Sequence, residues 1–336
     1  TVDWTDNGTD TTVTITGLSL VDGTAYYGSI RAYNSGGNPS QAYSGDGITI
    51  DASPPVSGTI IEGDTDDIDY TSNAGTLQLT WSGFSDDNSG LSHYEYGLGR
   101  SPGADDMVSF TETTDTSAVL EADLVDGTTY YGIVRAYDVA GNVSDGLVGD
   151  GVMLDISAPE SGMVVDGFED DLEFTASTTT LSATWSGFSD AGSGIQFYEY
   201  AAGTTSGGTD MTDWTGIDLD TTMIDSSLVL VGGQIYHVSV RATDLVENVS
   251  DVVSSDGVTV DLLGPESGTV LDGTGEDVDW TNSDTTLEAS WHGFSDALSG
   301  IQFYEYAVGT AIDNFALVAW KSAGVDTFFA ESDLTL

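Results

Sequence analysis

One block of sequence is written three times at a fixed spacing. Thr80-Trp81-Ser82-Gly83-Phe84-Ser85-Asp86 returns as Thr184-Trp185-Ser186-Gly187-Phe188-Ser189-Asp190, and again around Trp291-His292-Gly293-Phe294-Ser295-Asp296. The tryptophans stand 104 and 106 residues apart, and Arg31-Ala32, Arg135-Ala136 and Arg241-Ala242 keep the same interval. A period of this length means an array of similar domains, each large enough for a core of its own. The expected divisions are complete repeats over 52–155 and 156–261, the later part of a repeat over 1–51, and the earlier part of one over 262–336. Both flanking segments stop mid-repeat. The chain is therefore expected to be a window on a longer array; strand complementation between the tail of one copy and the head of the next is the alternative.

Residues within a repeat alternate with the period of a strand. Leu77, Leu79 and Trp81 share one face of Thr76–Phe84, with polar residues on the other. Further strands are expected over Ser57–Ile61, Leu91–Leu98, Met107–Phe110, Thr116–Leu124, Thr128–Asp138 and Gly146–Asp155. The acidic stretch Glu62–Gly75 and the run Asp86-Asp87-Asn88-Ser89-Gly90 read as turns. Seven short strands at this spacing, with no helical period competing, predict an all-β chain of tandem seven-stranded antiparallel β-sandwiches.

Charge narrows the function. Five basic residues face 56 acidic ones, for a net charge of −51. Phosphate backbones need a basic face, so nucleic acid is excluded as a partner. Self-repulsion of this size destabilises a compact state unless cations screen or bind the carboxylates. Salt water or extracellular calcium supplies them, which favours an extracellular or cell-surface location. There is no apolar run long enough for a membrane span. No cysteine is present, so disulfides and thiolate chemistry are absent.

The corner Leu124-x-x-Gly127-Thr128-x-Tyr130-x-x-x-Val134-x-Ala136 resembles that of fibronectin type III domains, as do the tryptophan strand and the Tyr94/Tyr96 strand. Leu20…Gly23-Thr24-x-Tyr26 and Leu230…Gly233-Gln234-x-Tyr236 repeat the corner, with Gln234 in place of Thr. The wider pattern looks like tandem repeats of large secreted or cell-surface proteins. The resemblance implies a linear array in which the loop after the tryptophan strand and the loop before the last strand face the preceding domain. Asp51, Asp86, Asp138 and Asn142 would then converge at one linker, and Asp155, Asp190, Asp244 and Asn248 at the next. Asp261 and Asp296 hold the matching positions further on. Hard oxygen groups in such a set suit calcium; Asp and Asn also stand there as turn builders. By the same topology Arg135 with Glu95, and Arg241 with Glu199, form cross-strand ion pairs, each contributing a few tenths to ~1 kcal/mol.

Other constellations are weaker. The first-loop acids (Asp64, Asp66, Asp67, Asp69; Asp166, Glu169, Asp170, Asp171, Glu173; Asp272, Glu276, Asp277, Asp279) fail the EF-hand pattern, because Ile68 occupies a ligand position. They read as solvated loops or a non-standard calcium site. His93, His237 and His292 have no metal-ligand spacing. No nucleophile elbow or phosphate loop is present, so no catalytic residues are expected. Asn7-Gly8-Thr9, Asn142-Val143-Ser144 and Asn248-Val249-Ser250 fit the glycosylation pattern. The expected function is a non-catalytic stalk, fibre or adhesin shaft, with one proline anchor in each linker (Pro54, Pro159, Pro265). Its partners would be other copies of the protein or neighbouring repeats of a longer chain. A sugar-binding adhesive module using Tyr131 or Trp214, and a spacer in a larger secreted hydrolase, are the alternatives.

Overall fold

The computed structural model describes residues 2–168, 170–312 and 314–334. Among these residues there are strands and no helices. Two compact units divide the chain between Ser157 and Ala158.

In the first unit, Thr59–Glu62, Thr76–Ser82 and Ser117–Glu121 form one antiparallel sheet, with the tryptophan strand at its centre. The second sheet runs from Val108–Thr113 through Leu91–Gly99 and Thr129–Asp138 to Val152–Leu154, with Leu147–Val148 also paired to Thr129–Asp138. This strand order is that of a fibronectin type III-like sandwich. Ahead of it, Ala25–Tyr26 pairs with Ile48–Thr49, and Ser29–Ile30 with Tyr43–Ser44.

Alternation fills the space between the sheets. Leu77, Leu79 and Trp81 point inward from one sheet, and Leu98, Tyr130, Val134 and Ala136 from the other. The Trp81 ring meets Tyr94 edge-on at 5.8 Å, and Phe84 closes on Tyr94 at 5.5 Å. Gly58 lies so close to the chain that a Cβ there would sit 1.8 Å from the Ser82 carbonyl oxygen. The corner is closed by the Tyr130 hydroxyl, which accepts the Val125 N–H at 2.8 Å.

The second unit repeats this construction. Met163–Asp166, Leu181–Ser186 and Thr222–Asp225 form the small sheet. Thr212–Gly216, Ile195–Gly203, Ile235–Asp244 and Val258–Val260 form the main run of the larger one, with Val253–Ser254 alongside. Trp185 packs on Tyr198 at 5.8 Å, and Tyr236 accepts from Val231 N–H at 3.0 Å. The same unit holds Thr269–Asp272, Leu287–His292 and Phe328–Glu331 in a sheet, and Tyr304–Val308 paired with Val318–Gly324.

Two elements differ from the sequence expectation. The stretch Glu62–Gly75 is more than a turn. It crosses from the small sheet to the large one, where Tyr70–Thr71 pairs in parallel with Val152–Leu154. The expected single strand Gly146–Asp155 is broken into two, because Gly151 adopts φ 103 and kinks the chain. The break recurs at Gly257, φ 105.

The expected ion pairs form. Arg135 and Glu95 lie opposite each other in register, with Nη2–Oε2 at 2.6 Å and Nε–Oε2 at 2.7 Å. Tyr137 also donates to Glu95 Oε2 at 2.8 Å. Arg241 meets Glu199 at 2.7 Å. Each guanidinium also stacks on an aromatic ring, Arg135 over Phe110 at 4.0 Å and Arg241 over Trp214 at 4.4 Å. Burial pulls the Glu95 carboxyl upward, but the bonds from Tyr137 and Arg135 win and hold it below the ordinary value of 4.5. The folded state therefore prefers the ionised group. Its stabilisation is complete above about pH 4.5 and is lost as pH falls through the lower folded value. Glu95→Gln is expected to destabilise the first unit by about 1 kcal/mol at pH 7. In chemical unfolding this difference should shrink toward zero as pH falls from about 4.5 through the lower folded value.

Candidate cation sites

The loops at one end of the first sandwich gather three carboxylates. Oxygens of Asp51, Asp86 and Asp138 all lie within 4.8 Å of one another. Asp86 Oδ1 accepts the backbone N–H groups of Asn88, Ser89 and Gly90 at 3.2, 2.9 and 2.7 Å. Asp51 Oδ2 accepts from Ser89 N–H at 3.0 Å, and a bond from Ser89 leads the effects that hold its carboxyl below the usual range. Asp138 is buried and accepts from Asn142 twice, N–H to Oδ1 at 2.8 Å and Nδ2 to Oδ2 at 2.7 Å. Asn142 thus enters as a donor bracing the cluster, and its Nδ2 also reaches the Asp51 carbonyl at 3.2 Å.

The second unit carries the same local clamps. Asp190 Oδ1 accepts from Gly192 and Gly194 N–H at 3.0 and 2.7 Å. Asp244 accepts the Asn248 N–H and side-chain nitrogen, each at 2.8 Å. Asp296 Oδ1 accepts from Leu298, Ser299 and Gly300. Asp261 and Asp296 line a cleft of about 220 Å³ with Leu263, Glu266, Ser295 and Leu298. Asp155, two residues before the end of the first unit, is buried, and its Oδ1 accepts from Ser157 N–H at 3.3 Å.

The nitrogens that a glycan would modify are engaged. Asn7 Nδ2 donates to the carbonyls of Asp10 and Thr12 at 3.1 and 3.0 Å, and Asn142 and Asn248 donate to aspartates as above. His93 stacks on Tyr137 at 4.6 Å. His237 Nδ1 bonds to the Ser255 carbonyl at 3.0 Å. The two aromatics considered as sugar platforms, Tyr131 and Trp214, are half-buried, the latter beneath Arg241.

A second kind of cluster is built around a buried carboxylate in each sandwich; sequence reasoning named Asp67 of the first and Asp166 and Asp171 of the second, but not Glu62, Asp150 or Asp256. Glu62 is 0% exposed at the end of its strand. Its Oε1 accepts the Gly132 N–H at 3.0 Å, while its buried Oε2 has no partner. Carboxylate oxygens of Glu62, Asp67 and Asp150 lie within 4.8 Å of one another. In the second unit the set is Asp166, Asp171 and Asp256. Asp166 is 1% exposed, its Oδ2 accepts from Gly257 N–H at 3.0 Å, and its buried Oδ1 is unpartnered. Burial drives both carboxyls upward, Asp166 to about 6, and repulsion from the two neighbouring aspartates adds to it. Of the first-loop acids, Asp67, Asp166 and Asp171 join these clusters, and Glu169 lies outside the described residues. The missed signal is a recurring spacing: Glu62-x4-Asp67, Asp166-x4-Asp171 and Asp272-x4-Asp277.

With these geometries in hand, the chain can be set beside known proteins. No family model matches it. It is 29% identical over 270 residues to Exoglucanase B of Cellulomonas fimi, covering 78% of this chain and 22% of that protein. The chain thus spans about a fifth of the relative's length. A crystal structure of chicken CNTN1 FN1-FN3 domains aligns over 84% of this chain and 89% of that one, at 15% identity and a TM-score of 0.27. The strand order above is what makes these sandwiches fibronectin type III-like.

Asp86 holds three successive backbone N–H groups, so Asp86→Ala is expected to cost about 1–2 kcal/mol. Amide hydrogen exchange at Ser89 and Gly90 should accelerate with it. Unchanged protection there would contradict the clamp.

Proposed function

We propose that the chain is a non-catalytic structural segment of an extracellular protein, a stalk or spacer made of repeated sandwiches. The observation that carries this reading is the repetition of construction. The Trp–Tyr–Phe core, the tyrosine corner, the stacked arginine pair and the aspartate loop clamps recur from one sandwich to the next. A catalytic site needs one constellation poised for a reaction. Repetition of structural devices supports a role in which the number of units matters.

Calcium fits this role at Asp51, Asp86 and Asp138. Asp22 lies beside them: its carboxylate accepts from Ala52 N–H at 2.7 Å, from the Ser53 hydroxyl at 2.7 Å and from Asn88 Nδ2 at 3.1 Å. Carboxylates from the turns and strand ends before residue 52 and from the loop after Trp81 thus meet across a short connection. A cation there would offset their repulsion and stiffen it. Asp155, Asp190, Asp244, Asp261 and Asp296 are proposed as further calcium ligands, with Asn248 bracing Asp244 as Asn142 braces Asp138.

Similarity to an exoglucanase favours one particular setting, a spacer within a larger secreted carbohydrate-active hydrolase whose catalytic part is a different stretch of chain. Two measurements on the purified chain test the reading. Incubation with cellulose should give neither sugar release nor co-sedimentation; release of sugar would overturn the non-catalytic role, and tight co-sedimentation would favour an adhesive module. Small-angle scattering in calcium and in chelator should show a broader range of dimensions once calcium is removed. Identical curves would remove calcium from the account.

A further inference from the structure

We propose that each complete sandwich carries a divalent-cation site of its own, away from the connections between repeats, built from Glu62, Asp67 and Asp150 in the first unit and from Asp166, Asp171 and Asp256 in the second. The ion it fits is calcium. This inference does not depend on the linker clusters or on the stalk reading.

The central carboxylate of each set is buried and half-satisfied. Glu62 Oε1 and Asp166 Oδ2 each take a backbone N–H, and the other oxygen of each is sealed from solvent without a partner. A buried carboxylate with an unmet oxygen is costly, and two more carboxylates within 4.8 Å raise the cost. No basic side chain relieves it. Arg31 sits over Trp4 and Tyr33, Arg100 pairs with Asp106, Arg135 with Glu95, Arg241 with Glu199 and Lys321 with Glu331. Those five are all the lysines and arginines of the chain. His237 lies near the second set, but its bond goes to the Ser255 carbonyl. The first set has Tyr131 in the corresponding place.

The two sets reach the same arrangement with different residues. Glu62 is one methylene longer than Asp166. Where Glu62 stands, Gly149 leaves it space, and a Cβ at 149 would lie 2.0 Å from Glu62 Oε1. Where Asp166 stands, Ser255 occupies the corresponding position, and its hydroxyl, which accepts the Val238 N–H at 3.0 Å, sits beside the shorter acid. The acid loses a methylene, the facing residue gains a hydroxymethyl group, and the three-carboxylate group is kept. The loop aspartate is held alike in both: Glu62 N–H donates to Asp67 Oδ1 at 2.9 Å and Asp166 N–H to Asp171 Oδ1 at 3.2 Å. A packing accident would not be rebuilt in this compensated way.

All the donors are oxygens, with no imidazole or thiolate, which selects a hard cation. Asp67, Asp150, Asp171 and Asp256 are exposed, so the outer side stays open to the water ligands that complete calcium's six to eight oxygens.

The test is calorimetric titration of calcium chloride into the EDTA-stripped 336-residue chain, beside Glu62→Gln, Asp166→Asn and the double variant. Each single variant is expected to lose one bound ion and the double variant two. In EDTA the variants should melt at or above wild type, because an uncompensated buried charge has gone; in calcium they should melt below it. Asp150→Asn alters only an exposed donor and should weaken one ion by roughly tenfold or more, which keeps the test decisive if a core variant misfolds. Asp138→Asn reads the linker cluster separately. Ion counts unchanged in the double variant, or lost only in Asp138→Asn, would overturn the proposal, as would a wild-type chain that binds no calcium.

Discussion

Carboxylates bonded to backbone N–H groups hold these loops in place, and most of the structure follows from the need for such bonds. A chain with a net charge of −51 cannot neutralise its acids with five basic side chains. The folded state instead supplies donors from its own main chain. Asp86, Asp190 and Asp296 each gather two or more amides of the loop that follows them, and Asp138 and Asp244 each clamp the loop that leads to the last strands. Charge-assisted bonds of this kind are among the stronger ones available at a surface. Turns that would otherwise be loose become parts of the sandwich, and the ends of each sandwich become acidic.

Between those ends the core is ordinary. A tryptophan, a tyrosine and a phenylalanine meet edge-on at 5.5–5.8 Å in each repeat, and small residues such as Ala136 and Ala242 let the facing strand approach. Arginine is used sparingly, and Arg135 and Arg241 each serve twice over, against a carboxylate and against a ring. Apolar burial, amide-capped acids and one cross-strand ion pair are therefore enough to define a unit that needs no disulfide.

Much of this was legible in the residues. Period-two alternation marks Thr76–Ser82 and Thr129–Asp138 as half-buried strands, since side-chain direction along a strand is a local property. The Arg135–Glu95 register followed from alternation and strand order. Convergence of Asp51, Asp86 and Asp138 was legible because they flank turns whose place in the topology is known. Glu62 was not. A charged residue beside four loop aspartates reads as solvated, and its burial is created by the strand switch after it. At Gly63 (φ 148) the chain turns back so tightly that a Cβ would meet the Asp66 carbonyl at 2.1 Å; Ile68 N–H then bonds the Glu62 carbonyl, and Asp67 is folded against Glu62. That path depends on pairing of Tyr70–Thr71 with Val152–Leu154, a contact about eighty residues distant that no local pattern announces. Asp150 was missed for the same reason, since its role arises from the kink at Gly151 in a strand expected to be continuous.

The central claim is that the chain is made of small bricks that stand alone, each with its own tryptophan core. Stretching single molecules held by their two ends tests it most directly. The account predicts two dominant rupture events, one for each complete sandwich, each releasing about 30 nm of chain as roughly 100 residues extend. A single rupture that releases the whole length at once, or extension without discrete events, would contradict it.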